Sequence, residues 1–82
     1  MGVYIGDLLN KIRFDKNLKP EEFSIVYYDR IQQKTFEIPF ISLSRSGNFI
    51  VTKINNRETM IPLHRIREVR RNGKVFWSRD IR

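Results

Sequence analysis

The dipeptide Asn72-Gly73 stands between two short runs, Glu68 to Arg71 and Lys74 to Trp77, that mix basic with apolar residues. A two-residue type I′ turn needs positive φ at both central positions, and Asn followed by Gly adopts it at least cost. A hairpin is therefore predicted, pairing Arg71 with Lys74, Arg70 with Val75, Val69 with Phe76 and Glu68 with Trp77. In that register one face carries Val69 and Phe76, and the other carries Glu68, Arg70, Val75 and Trp77. Upstream, Ile61, Leu63, Ile66 and Val69 break the period of two. Pro62 to Ile66 is read as a single tight turn that holds His64 and Arg65 out of the core. Two polar side chains at a strand entry, beside further cations, make a candidate anion site.

The rest of the chain supplies partners for this hairpin. Ile5, Leu8, Leu9 and Ile12 recur at helical spacing, with Asp7 early and Lys11 and Arg13 late, as the helix dipole favours. Two turns do not persist alone, so this helix must pack on a sheet. Phe14 prolongs its stripe as a core or lid residue. Pro20 to Glu22 can begin one helical turn. Ser24 to Asp29 and Lys34 to Ile38 read as strands, with Ile31 to Gln33 between them and Pro39 ending the pairing. Ile41 to Gly47 is looser, with a turn at Ser46 to Asn48. Phe49 to Ile54 and Arg57 to Ile61 form a hairpin about Asn55-Asn56, which sets Lys53 against Glu58 and Val51 against Met60. No internal repeat or linker is apparent. The fold class expected is α+β: a short N-terminal helix on a highly twisted antiparallel sheet or small barrel of about six strands.

Eighty-two residues make a single domain with a thin core. Without cysteine there is no disulfide framework and no thiolate, and one histidine does not complete a zinc site. No cofactor or metal is indicated. No apolar run reaches the roughly 18 residues of a membrane span, and the N-terminus lacks the basic lead of a signal peptide. A soluble cytoplasmic protein, with no membrane partner, is the expectation. The net charge is +7, and eight basic against three acidic residues fall between Arg57 and Arg82. Such a field favours a polyanion, with nucleic acid first among the candidates.

Arginine suits phosphate because its planar fork donates two parallel bonds. The candidate RNA- or phosphate-binding residues are His64, Arg65, Arg67, Arg70, Arg71, Arg30 and Lys74. Strand alternation puts Arg67 and Arg71 on one face and Arg70 on the other. Trp77 and Tyr28 are candidates for base stacking, while Phe36, Phe49 and Phe76 are assigned to the core. His64 is of the side-chain type most often used for general acid–base chemistry. As a catalyst it would need a second acid or base from the fold, and no catalytic motif accompanies it. No catalytic residue is assigned. The alternatives to an RNA-binding module are an RNA-end processing enzyme, a cyclic phosphodiesterase or nuclease using His64, and a protein-interaction adaptor in a ribonucleoprotein.

Three blocks, Leu8 to Asp15, Glu21 to Arg30 and Ile61 to Trp77, resemble the largely archaeal, uncharacterised family named the RNA cyclic-group end recognition domain. The similarity covers nearly the whole chain, and the Ile61-Pro62-Leu63-His64-Arg65-Ile66 block with its following hairpin is the specific part. The resemblance implies recognition of RNA ends that bear a 2′,3′-cyclic phosphate. It also implies the company of RNA-processing proteins, since eukaryotic relatives carry the domain within larger ones, some with a phosphoesterase-like domain. His64 and Arg65 fall in the distinctive block, and Asp29 and Arg30 in a strand-end pair. Phe14 stands where many members carry tryptophan, so a base stacked there would be held less well.

Overall fold

The computed structural model describes residues 4–79. Helix α1 spans Ile5–Phe14, and seven strands follow: β1 Phe23–Asp29, β2 Lys34–Pro39, β3 Leu43–Ser46, β4 Phe49–Ile54, β5 Arg57–Pro62, β6 Ile66–Arg71 and β7 Lys74–Ser78. Three 3-10 turns, Pro20–Glu22, Phe40–Ser42 and Leu63–Arg65, each follow or begin with a proline, whose fixed φ suits the entry. The strands form two antiparallel sheets, in the orders β2-β1-β6-β7 and β3-β4-β5. The α+β class holds, but the sheets do not close into the small barrel that was one expectation.

One continuous core joins the helix to both sheets. Ile5, Leu8, Leu9 and Ile12 bury the predicted helical stripe against Ile25, Tyr27 and Ile38 of one sheet and Leu43, Ile50 and Ile61 of the other. Ile66 and Val69 complete it from β6. Phe14 lies beyond the covered part of the stripe and is 75% exposed, so it is neither core nor lid. Gly6 is buried, and a Cβ there would stand 2.5 Å from Cε2 of Tyr4 and 2.8 Å from Nη2 of Arg45. The missing side chain lets the Tyr4 ring lie against the first turn of the helix.

The strand order contains a duplication that residue identities conceal. The β1–β2 hairpin ends in Ile38-Pro39, turns through Phe40–Ser42 and leads into β3; the β4–β5 hairpin ends in Ile61-Pro62, turns through Leu63–Arg65 and leads into β6. Each unit gives its third strand to the other, so that β6 pairs with β1 and β3 with β4. The orders β2-β1-β6 and β5-β4-β3 are equivalent, and β7 extends the first. Only the Ile-Pro pair is identical at the matched turns, too little for a repeat to be seen in the sequence.

The Asn55-Asn56 hairpin adopts the expected register, with Lys53 opposite Glu58 and Val51 opposite Met60. Both asparagines have positive φ, as do Asn72 and Gly73. The β6–β7 register is correct only beside its turn. Arg71 meets Lys74 and Arg70 meets Val75, but a bulge then places Val69 opposite Trp77 and Glu68 opposite Ser78. Phe76 is the extra residue. A one-residue shift exchanges the faces, so Trp77 packs against the core in the place expected for Phe76. Phe76 stays 44% exposed, its ring edge-on to Phe23 at 5.2 Å.

Candidate nucleic-acid interface

The third 3-10 turn, Leu63–Arg65, divides two concavities. Leu63 is buried, which anchors the turn, and its amide donates to the carbonyl of Asn48 at 2.9 Å. Arg79 clasps it from outside, with Nε donating to the carbonyl of Ile66 at 3.0 Å and Nη2 to that of Leu63 at 3.2 Å. Its guanidinium also lies over the Trp77 ring, 5.4 Å from the centroid.

On one side of the turn, the tips of the β1–β2 and β4–β5 hairpins bound a cleft of about 760 Å³. Tyr27, Tyr28 and Phe36 give it an aromatic wall, Met60 and Ile31 an apolar rim, and Arg57 and Arg65 its lining cations. Tyr27 stacks on Phe36 with centroids 5.7 Å apart. Burial, and secondarily the charge of Asp29, raises the Tyr27 phenol above the ordinary tyrosine value, so it stays protonated. A second bulge makes Arg67 the extra residue of β6 opposite β1, and its guanidinium sits 4.9 Å over the Tyr28 ring. Asp29 brings a carboxylate to the rim, but its Oδ1 accepts the amides of Ile31 at 2.8 Å and Gln32 at 3.1 Å and so shapes the loop. Among the described residues, no ion pair joins Arg57, Arg65 or Arg67 to a carboxylate.

On the other side, Tyr4, Ile5, Asn48, Leu63, His64, Trp77 and Arg79 line a smaller concavity of about 320 Å³. His64 belongs to this one and Arg65 to the cleft, although the two are neighbours in the chain.

The arginines of the β6–β7 hairpin are differently placed. Arg70 donates to Glu68 at 2.9 Å and to Glu37 at 3.1 Å, and Arg71 donates to Glu22 at 2.9 Å while lying over Phe23. Lys74 is exposed opposite Arg71, and Arg30 is exposed in the β1–β2 loop without lining the cleft. The structure thus brings together Arg65, Arg67 and Tyr28, places His64 with Trp77, and leaves Arg30, Arg70, Arg71 and Lys74 apart from both groups. Phe36, expected in the core, also lines the cleft, and Arg57, Met60 and Arg79 line the two concavities although they were not marked as site candidates in the sequence. Arg57 could have been, since it begins the strand that leads to the Pro62 turn.

The family model described as the MJ1316 RNA cyclic group end recognition domain matches residues 3–79. A UPF0248 protein of Metallosphaera sedula is 36% identical over 75 residues, covering 92% of this chain and 91% of its own. Relatives of the same name from Saccharolobus solfataricus and Methanocaldococcus jannaschii are 30% and 29% identical, covering 92% and 96% of this chain and 95% and 99% of theirs. No solved structure matches. With a family model matched along nearly its whole length and archaeal relatives similar from end to end, the chain belongs to the MJ1316 RNA cyclic group end recognition domain family.

Proposed function

We propose that the domain binds single-stranded RNA and receives, in the cleft beside Leu63–Arg65, an end that carries a 2′,3′-cyclic phosphate. The observation that carries this reading is the pairing of two arginines, Arg57 and Arg65, with an aromatic wall in a cleft of nucleotide size. A cyclic phosphate has one negative charge shared by two free oxygens, which a guanidinium fork meets with two parallel bonds. Tyr28, backed by Arg67, offers a face on which a base stacks without regard to its identity. Arg70 and Arg71, held by Glu22, Glu37 and Glu68, contribute to the attractive field with Arg30 and Lys74 rather than grip the end directly. The family's name supports the same assignment.

The test is a binding series with one RNA sequence and four termini: cyclic phosphate, 3′-phosphate, 2′-phosphate and hydroxyl. The cyclic end should bind tightest. Equal affinity for cyclic and hydroxyl ends would leave only backbone binding.

A further inference from the structure

The smaller concavity on the far side of the Leu63–Arg65 turn is not used by the end group. We propose that it is a nucleobase subsite, which holds the base of the nucleotide preceding the RNA end. This rests on the reading of the cleft as the site of the end itself.

Three kinds of observation support the assignment. The concavity holds about 320 Å³ and is lined by three planar side chains, Tyr4, His64 and Trp77, together with the guanidinium of Arg79. Aromatic, imidazole and guanidinium planes are the groups on which unstacked RNA bases rest. Tyr4 is 55% exposed with its ring lying against Gly6, and His64 is exposed on a turn pinned by Arg79, so both planes are presented to solvent. Asn48 adds an amide that can both donate and accept, as the edge of a base requires.

Position supports it as well. The cleft ends at Pro62 and Arg65, and the second concavity begins at Leu63 and His64. The Leu63–Arg65 turn is thus the shared wall of the two, with neighbouring residues lining either side. Successive nucleotides of one strand can then occupy the two sides, with the backbone crossing the turn at Arg65 and His64.

Trp77 is the chain's single tryptophan and a wall of this concavity, so its emission reports directly on occupancy. The experiment titrates the protein with a short single-stranded RNA ending in cyclic phosphate, dye-labelled at its 5′ end. Anisotropy of the dye reads binding, and tryptophan emission reads the concavity. A second RNA lacks only the base before the terminal nucleotide, and His64→Ala is tested with both. The intact RNA should quench Trp77. Removing that base should abolish the quench and weaken binding about 5- to 150-fold, and His64→Ala should lose most of this preference for the intact strand. Binding by anisotropy with an unchanged emission, or equal quenching by the two RNAs, would overturn the subsite while leaving RNA binding intact. Absence of an anisotropy change with either RNA at low salt would overturn the subsite and the proposed function together.

Discussion

Arg65 and His64 are consecutive residues that face different concavities: Arg65 lines the cleft with Tyr28 and Arg57, while His64 lines the pocket with Trp77 and Arg79. A 3-10 turn pinned by buried Leu63 and by two carbonyl contacts from Arg79 keeps them apart. In the proposed function the two therefore meet different parts of a bound strand. Loss of Arg65 should alter how the end group is read, and loss of His64 should not.

The arginines of the β6–β7 hairpin should behave in the opposite way from Arg65. Arg70 ties Glu37 to Glu68 across the outer face of the four-stranded sheet, with side chains roughly a third exposed or more. Solvent screening limits such a network, and Arg70→Ala should cost at most about 1 kcal/mol of stability. Thermal unfolding will measure that loss, and RNA titration should show affinity within about threefold of wild type, as long-range charge alone implies. An affinity loss matching that of Arg65→Ala would instead make Arg70 a direct phosphate contact.

Arg57 and Arg65 of the cleft, with Arg67 over Tyr28, have no carboxylate partner among the described residues, and these three set the salt dependence. Each phosphate neutralised on a single strand contributes about −0.7 to the slope of log K against log salt, so the wild type should show a slope near about −2. The double variant Arg57→Ala/Arg65→Ala should bring it to about −0.7. A slope that does not change would place the phosphates elsewhere on the surface.

Gly73 has φ of +83°, and a Cβ there would meet nothing within 4 Å, so substitution acts through the backbone alone. Gly73→Ala should cost about 1–2 kcal/mol, with each kcal/mol lowering Tm by about 4–8 °C in a domain of this size. Gly73→Asn should lose much less, because asparagine tolerates positive φ. Equal losses would show that the turn is not what the glycine serves.

Alkaline conditions should destabilise the fold through Tyr27. Its pKa is raised in the folded chain, chiefly by burial. The unfolded chain therefore gives up this proton first, and the contribution to stability is whole below the ordinary tyrosine value near 10 and is lost as pH rises through the folded value. Urea unfolding between about pH 8 and 11 should show a shallower loss for Tyr27→Phe than for wild type. Parallel curves would contradict the assignment.

Features fixed by neighbouring residues are legible in the sequence. The helix follows from Ile5, Leu8, Leu9 and Ile12, and the two asparagine hairpins follow from residues that accept positive φ. The bulge at Phe76 was not legible. Val75, Phe76 and Trp77 are all apolar, so alternation fits either register, and the choice falls to packing against the core. Likewise nothing local shows that Arg70 will meet Glu37, 33 residues away. For the site, the sequence offers Arg65 and Arg67 among seven basic candidates and Tyr28 beside Trp77, and their grouping comes from the fold, as does the partition of His64 from Arg65 by a turn held by Leu63 and Arg79.

The central claim is that Arg65 reads the end group, and the ratio of Kd values for hydroxyl-ended and cyclic-phosphate-ended RNA tests it most directly. Charge-assisted bonds to a terminal phosphate are worth about 1.5–3 kcal/mol each, so the wild-type ratio should be about 10 or more. In Arg65→Ala it should fall toward 1, and in His64→Ala it should stay near the wild-type value. A wild-type ratio of 1, or a ratio that survives Arg65→Ala, would contradict the account.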